Sequence, residues 1–172
     1  SKSKGNGVNP LDVVAQYGAD AARLAILMGA TPGNDSRYSQ EKVEAKRNLI
    51  NKLWNVSRFM MSQGANIADG QDRPRPRSAA DRWILGSLAD TAVAVHDLIG
   101  AYEFSLAAEK LVDFTWNKLA DWYLEVAKFE PEGKPEMFSF ILRQTLLLWH
   151  PFIPFVTDAI WQQSSAEPII IS

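Results

Sequence analysis

The sequence predicts an all-α protein, an antiparallel helix bundle preceded by a short helical segment. Two observations support this fold class. From residue 40 onward, apolar side chains recur at helical spacing and not with the two-residue alternation of a strand. Helix-starting and helix-stopping residues also divide the chain into segments of ordinary helix length. No internal repeat is evident, so the pattern favours a bundle over a helical solenoid.

The N-terminal segment contains two predicted short helices. Asn9 suits a cap, Pro10 suits the first helical position and Gly18 suits the stop. A second helix is predicted from about residue 19 to residue 28. The turn-rich stretch 31–36 then marks the main boundary. We therefore divide the chain into an N-terminal segment, residues 1–38, and a bundle, residues 39–172.

Five helices are predicted in the bundle, and most have recognisable ends. The first spans about residues 40–63 and is followed by a polar connection. Ser78 and Asp81 resemble a capping box at the start of the second. Gly100 is expected to interrupt that helix, and Ser105 is expected to cap the third, which stops before residue 131. The fourth spans about 135–149, and Pro154 begins a short fifth.

Composition limits the possible functions. The hydrophobic fraction of 47% is that of a folded domain, and the net charge of −2 gives no overall basic signal for nucleic acid, although a local patch remains compatible with it. With no cysteine, neither a disulfide nor a Cys-ligated metal site can form, and no metal-ligand cluster is predicted. No signal peptide or apolar span of 18 residues is evident, so a soluble protein without a membrane partner is expected.

The first bundle helix has two chemically different faces. Its apolar stripe is predicted to centre on Leu53 and Trp54. The opposite face is predicted to carry two amides and an aromatic ring flanked by two arginines: Arg47, Asn48, Asn55, Arg58 and Phe59. Proteins that bind single-stranded RNA stack bases on such rings and contact base edges and phosphates with such polar groups. The alternative is that Phe59 packs against a neighbouring helix and the amides are ordinary surface.

Aromatic residues in the third predicted bundle helix give a weaker indication of RNA binding. Phe114 and Trp122 are expected inside the bundle because they share a helical spacing, and Trp116, Lys118 or Tyr123 are expected near the proposed RNA face.

The N-terminus resembles the class I aminoacyl-tRNA synthetases. Residues 1–6 read Ser-Lys-Ser-Lys-Gly-Asn, and residues 9–14 and 17–23 read Asn-Pro-Leu-Asp-Val-Val and Tyr-Gly-Ala-Asp-Ala-Ala-Arg. They are similar to the mobile signature loop of that family and to the segments that come after the loop. The resemblance implies that Lys2, with Ser1 and Ser3, matches the loop that closes over ATP, with Mg, in a full-length enzyme. The first Lys and Met of the motif are absent here. The resemblance also implies that this part holds no cofactor and is inactive alone.

The bundle resembles the valyl branch of that family. Residues 43–59, including Arg-Asn-Leu-Ile-Asn-Lys-Leu-Trp-Asn, are similar to its anticodon-binding helix, although Ala45 and Lys46 depart from its usual Gly-Tyr. Residues 114–125 and 148–155 match in the same order. The resemblance implies an anticodon-binding domain with a helical stem-contact segment, in a cytoplasmic, monomeric enzyme that attaches valine to tRNA. The implied partners are valine tRNA and the catalytic domain of the same chain.

Two alternatives remain open from the sequence. One is the equivalent domain of an isoleucyl, leucyl or methionyl enzyme. The other is a helical protein-interaction module that binds no RNA.

Overall fold

A computed structural model describes residues 8–28, 39–130, 132–164 and 169. The turn-rich stretch 31–36, which marks the predicted boundary, and the loop residues 1–7 lie outside these ranges. Among the helices within them, none is long and apolar enough to cross a membrane.

The described chain is helical throughout its regular structure, as predicted. A 3-10 turn at Ile67–Asp69 separates the third and fourth helices. A π-helical segment, Asp113–Tyr123, joins the fifth and sixth without a break. The α-helices are α1 Pro10–Tyr17, α2 Ala19–Leu27, α3 Gln40–Ser62, α4 Ala79–Gly100, α5 Phe104–Val112, α6 Leu124–Ala127, α7 Lys134–Trp149 and α8 Pro154–Trp161.

Three of the predicted helix ends are confirmed in atomic detail. The Asn9 side chain accepts a hydrogen bond from the Leu11 amide, and Pro10 is the first residue of α1. Gly18 has φ of +86°, a left-handed value that lets the chain turn directly from α1 into α2. At α4, both hydrogen bonds of the Ser78–Asp81 capping box are present.

The start of α5 differs from the prediction. Helix α4 ends at Gly100, as predicted, and the chain reverses at Tyr102, whose φ is +63°. The Glu103 amide donates to the Leu98 carbonyl oxygen, and this hydrogen bond completes the turn before Ser105 is reached. Helix α5 therefore begins at Phe104, and Ser105 lies inside its first turn and is not its cap.

The π-helical segment corrects the expectation for the aromatic residues. Hydrogen bonds here run five residues back, as from the Leu124 amide to the Leu119 carbonyl oxygen. In this wider turn the buried face holds Phe114, Leu119 and Tyr123, whereas α-helical spacing had placed Trp122 below Phe114. Phe114 is buried, as predicted, but Trp122 is 47% exposed and Tyr123 is fully buried.

Most of the core lies among α3, α4, α5, the π-helical segment, α7 and α8. Its largest fully buried side chains include Trp149, Tyr123, Phe114 and Met60. A second, small core joins the N-terminal segment to α3 and consists of Val13, Tyr17, Ala21 and Val43.

A buried carboxylate attaches α2 to α8. Asp20 accepts hydrogen bonds from the Phe155 and Val156 amides in the first turn of α8, so it caps that helix from another element. Burial raises the pKa of the Asp20 carboxyl above its ordinary value, against the opposing effect of these two amides. Arg23 donates to the carbonyl oxygens of Pro151 and Phe152. These contacts fix the N-terminal segment against the bundle.

A second buried carboxylate joins α4, the π-helical segment and α7. Asp81 accepts from the Lys134 ammonium at 2.6 Å and from the Tyr123 hydroxyl at 2.7 Å. Its other oxygen accepts from the Arg77 and Ser78 amides. Burial alone raises the pKa of the Asp81 carboxyl, but the hydrogen bonds and the Lys134 charge outweigh it, so the pKa lies below its ordinary value.

Lys134→Ala is expected to lower the free energy of unfolding by about 3–5 kcal/mol, because it leaves the Asp81 charge buried without its cation. The matched control is Lys128→Ala, since Lys128 pairs with Glu125 at the same 2.6 Å but on the surface. The control should change stability by less than about 1 kcal/mol. Urea unfolding followed by circular dichroism compares the two, and similar losses would contradict the structure.

Acid is expected to destabilise the bundle through Asp81. Because the folded-state pKa of Asp81 is below the unfolded value of about 3.9, its contribution is fully present above that value. The contribution is lost as the pH falls through the folded-state pKa. The free energy of unfolding should therefore decline more steeply between about pH 5 and pH 2 in the wild type than in Asp81→Asn. Parallel slopes in urea titrations at each pH would argue against this role.

Candidate RNA interface

The predicted RNA face of α3 is present as an exposed polar strip. Asn48, Asn55 and Arg58 are all exposed. Arg58 makes no side-chain hydrogen bond or ion pair within the part of the chain that the structure describes. Its guanidinium, with five donors and no acceptor, is therefore available to an anionic or planar ligand.

Phe59 corrects the predicted helical wheel. It is half-buried and packs against the main core, whereas the sequence pattern placed it on the face opposite the apolar stripe. The buried face of α3 centres on Leu49, Leu53, Val56 and Met60, so Trp54 is also half-buried. The reason is that α3 is enclosed by neighbours on a wide arc. Phe59 lies at the edge of that arc with part of its ring accessible beside the polar strip.

Arg47 belongs to the contact between α3 and α1. It is half-buried, forms a 3.1 Å ion pair with Glu44 and lies 5.5 Å from the centre of the Tyr17 ring. Tyr17 in turn accepts a hydrogen bond from Gln40. The Arg47 Nε is buried and has no hydrogen-bond partner among the described residues. This side chain therefore stabilises the docking of α1, and its role differs from that of Arg58.

Lys52 lies beside the strip and was not among the predicted site residues. Its ammonium is 2.7 Å from an Asp121 carboxylate oxygen and 3.8 Å from the centre of the Trp116 ring. The sequence spacing could have indicated its position, because Lys52 is four residues after Asn48 and three before Asn55, and residues so spaced are neighbours on a helix surface. Lys52 thus joins the strip to the outer face of the π-helical segment.

The other residues expected near this face have varied positions. Trp116 is half-buried beneath Lys52. Lys118 is half-buried and pairs with Asp113 at 3.4 Å, and Asn117 donates to the same carboxylate. The hydrogen bond from Asn117 is the largest cause that lowers the pKa of Asp113. Tyr123 belongs to the core and is excluded from the surface.

Unpaired arginines cluster where α3 ends and α4 begins. Within the described residues, four exposed arginines make no ion pair or side-chain hydrogen bond, namely Arg58, Arg73, Arg75 and Arg82. They lie in the last part of α3, in the connection and in the first turn of α4. Exposed carboxylates lie at the same end, Asp69 and Asp72 in the connection and Glu136 near the start of α7, so the arginines are unpaired cations on a surface of mixed charge. Phosphate binding depends on such local charge and not on the net charge of −2.

The candidate catalytic loop residues, Lys2 with Ser1 and Ser3, lie outside the described residues. Among the residues that are described, no group of three or more His, Asp or Glu side chains is arranged to hold a metal ion.

Comparison with known families identifies the part of the bundle from α4 onward. Residues 81–171 match the family described as the anticodon-binding domain of tRNA ligase. The chain belongs to this family. Residues 1–39 match the family of class I tRNA synthetases for I, L, M and V. The second match ends at the start of α3, next to the boundary that the sequence predicts.

Among curated proteins, the chain is similar to valine–tRNA ligases. The valine–tRNA ligase of Anoxybacillus flavithermus is 45% identical to 97% of this chain, and that of Geobacillus stearothermophilus is 44% identical to 97%. The chain spans only 20% of the length of each.

Solved structures support the fold. The agnB2 LeuRS of Agrobacterium radiobacter K84, in a ternary complex with tRNA and LeuAMS, superposes on 97% of the chain with a TM-score of 0.79 at 23% identity, over 20% of its own length. The Mycobacterium tuberculosis methionyl-tRNA synthetase bound by methionyl-adenylate covers 93% with a TM-score of 0.74 at 26% identity, over 34% of its length. Both chains are much longer than the matched region.

Arg47→Met is expected to loosen α1 without unfolding the bundle, because it removes the ion pair with Glu44 and the contact with Tyr17. Amide hydrogen exchange should become faster in residues 13–17 and stay unchanged in α4 and α7. The matched control is Arg58→Met, an arginine on the same helix without such contacts. If both variants leave the exchange of α1 unchanged, Arg47 does not tie α1 to α3.

Proposed function

We propose that this chain binds the anticodon loop of valine tRNA through the polar strip of α3 and the accessible edge of Phe59. The observation that carries the proposal is the exposed, unpaired Arg58 between Asn55 and Phe59 on one helix. These are an amide, a guanidinium and an aromatic ring, the three groups with which proteins bind unstacked bases. The anticodon-binding family match over residues 81–171 supports an anticodon-binding role for the bundle, and the valine–tRNA ligases that match 97% of the chain extend the likeness over α3.

In the whole protein we propose an ATP-dependent valine–tRNA ligase. Residues 1–38 then form the end of the catalytic part together with the stem-contact segment, and residues 39–172 form the anticodon-binding domain. In that protein the Lys2 ammonium, with Ser1 and Ser3, stabilises the charge that moves onto the leaving pyrophosphate of ATP with its Mg. A cytoplasmic monomer that binds valine tRNA and packs against the catalytic domain of the same chain is part of the same proposal.

Valine is favoured over the other amino acids of this class. Valine–tRNA ligases match 97% of the chain at 44–45% identity, whereas the methionyl enzyme matches at 26%. Valine anticodons share their second and third bases, so we propose that α3 contacts those two bases and not the wobble base. The amides of Asn48 and Asn55 have both donors and acceptors, as recognition of base edges requires.

Arg47 has a supporting part in this proposal. Its contacts with Glu44 and Tyr17 fix the first half of α3 against α1, which positions Asn48 one residue further along. We assign Arg47 to positioning and reserve direct contact with RNA for Asn48, Asn55, Arg58 and Phe59.

The test is a titration of the protein with a hairpin RNA that carries the valine anticodon loop, and with an anticodon-swapped hairpin. Phe59→Leu keeps an apolar side chain at the edge of the core but removes the stacking surface, so affinity for the valine hairpin should fall about tenfold or more. Asn55→Ala should reduce the difference between the two hairpins, because it removes a base contact.

Arg58→Ala separates phosphate contact from base contact. If Arg58 binds phosphate, the slope of log affinity against log salt concentration falls by about one. The matched control is Lys42→Ala, an exposed cation at the other end of α3, 16 residues or about 24 Å away, which should leave the affinity unchanged. Wild-type affinity in all three folded α3 variants would refute the proposed interface, and equal binding of both hairpins by the wild type would refute its specificity.

A further inference from the structure

Two tryptophans form an exposed pair outside the α3 strip. Trp83 in the first turns of α4 and Trp122 in the π-helical segment have ring centres 4.5 Å apart and planes inclined at 58°. Trp83 is 40% exposed and Trp122 is 47% exposed. The π-helical turn is what directs Trp122 outward, because it assigns the buried position to Tyr123.

The pair is a neighbour of the proposed anticodon surface. Trp122 directly follows Asp121, the residue that binds Lys52 of α3, and Trp116 under Lys52 completes the junction. The outer face of the π-helical segment therefore connects the α3 strip to the tryptophan pair. The strip runs from Asn48 in the first half of α3 to Phe59 near its end, and the tryptophan pair lies across the π-helical segment from it, near the start of α4.

The size of the apolar patch matches a base better than a protein partner. At 40% and 47% exposure, the two indoles offer roughly 200 Å² of accessible surface. A stable protein–protein interface needs about 800 Å² on each side. The surrounding exposed side chains are polar, with Arg82 next to Trp83 in the sequence and Asn117 one turn from Trp122. The exposed carboxylates nearest to Trp122 in the sequence, Asp121 and Glu125, are paired with Lys52 and Lys128. A nucleotide fits this arrangement, because its base can stack on an indole ring while its phosphate lies near the arginine.

Arg82 supplies the charge. It is exposed in the first turn of α4 and makes no ion pair or side-chain hydrogen bond within the described residues. An aromatic surface adjoined by an unpaired cation is the arrangement that binds single-stranded nucleic acid, in which the ring stacks the base and the cation contacts the backbone.

We propose that Trp83 and Trp122 form a second base-stacking site, which binds an unpaired base of the RNA loop beside the bases that α3 contacts, with Arg82 on the adjoining phosphate. This inference rests on the proposed function, because it takes the α3 strip to hold the same loop.

The experiment uses the valine hairpin with 2-aminopurine substituted at successive loop positions, one position in each RNA. In the wild type, one position outside the second and third anticodon bases should show fluorescence quenched by stacking. Trp83→Leu and Trp122→Leu should abolish that quenching and weaken binding about tenfold. Trp83→Phe and Trp122→Phe should restore part of both, because the aromatic face returns.

Salt dependence and a matched control separate the contributions. The leucine variants should keep the wild-type slope of log affinity against log salt, whereas Arg82→Ala should reduce it by about one. The control is Tyr102→Leu, which removes an 80% exposed aromatic ring at the opposite end of α4 and should change nothing. Thermal unfolding by circular dichroism establishes that each variant is folded. If Trp122→Leu does not fold, Trp83→Leu decides the test.

The outcomes are distinct for the two proposals. If the folded leucine variants bind and quench like the wild type while Asn55→Ala and Arg58→Ala are impaired, the tryptophan site is wrong and the α3 interface stands. If the α3 variants also bind like the wild type, both proposals fail. Equal loss in Tyr102→Leu and in the tryptophan variants would also overturn the site, because the effect would then be general.

Discussion

The buried Asp81 carboxylate determines how the proposed RNA-binding end of the bundle is assembled. Its two oxygens accept from Lys134 at the start of α7, Tyr123 in the π-helical segment and the amides that precede α4. Three elements distant in sequence are thus held at one point. Because an uncompensated buried charge is costly, only the arrangement that satisfies all of these partners is stable. That arrangement also fixes Trp83 two residues after Asp81, and Trp122 one residue before Tyr123.

The helices were predictable because their ends are determined by residues that interact with close neighbours in the sequence. Asn9, Pro10 and Gly18 act within a few residues of themselves, and so do Ser78 and Asp81. What the sequence pattern could not supply was the second use of Asp81, whose partners Tyr123 and Lys134 are 42 and 53 residues away. The capping motif predicted a helix start. The same carboxylate also connects α4 to the π-helical segment and to α7, and only the three-dimensional structure reveals these long-range contacts.

The candidate site was less predictable than the fold, and the reason is the helical period. A wheel of 3.6 residues per turn assumes one buried stripe and one open face. Phe59 violates the assumption because neighbours enclose a wide arc of α3, and Trp122 violates it because the π-helical turn shifts the buried register to Tyr123. Asn48, Asn55 and Arg58 were placed correctly since they are centred on the open face, where a small error in angle has no consequence.

The pairing of basic side chains bears on how a chain with a net negative charge can bind RNA. Most of the basic side chains near the α3 strip are already neutralised, Lys52 by Asp121, Lys118 by Asp113 and Arg47 by Glu44. These pairs hold elements together and contribute little free charge. The unpaired arginines at the end of α3 and the start of α4 remain, and in the proposed function they supply the attraction for phosphate at that end. Lys42, Lys46 and Lys110 also make no ion pair among the described residues, but they lie away from the aromatic and amide groups of the strip. In the proposed complex, an RNA loop drawn to the arginines meets aromatic and amide groups on both α3 and the π-helical segment. Binding at this end therefore depends on the distribution of paired and unpaired cations, which the net charge of the chain does not reveal.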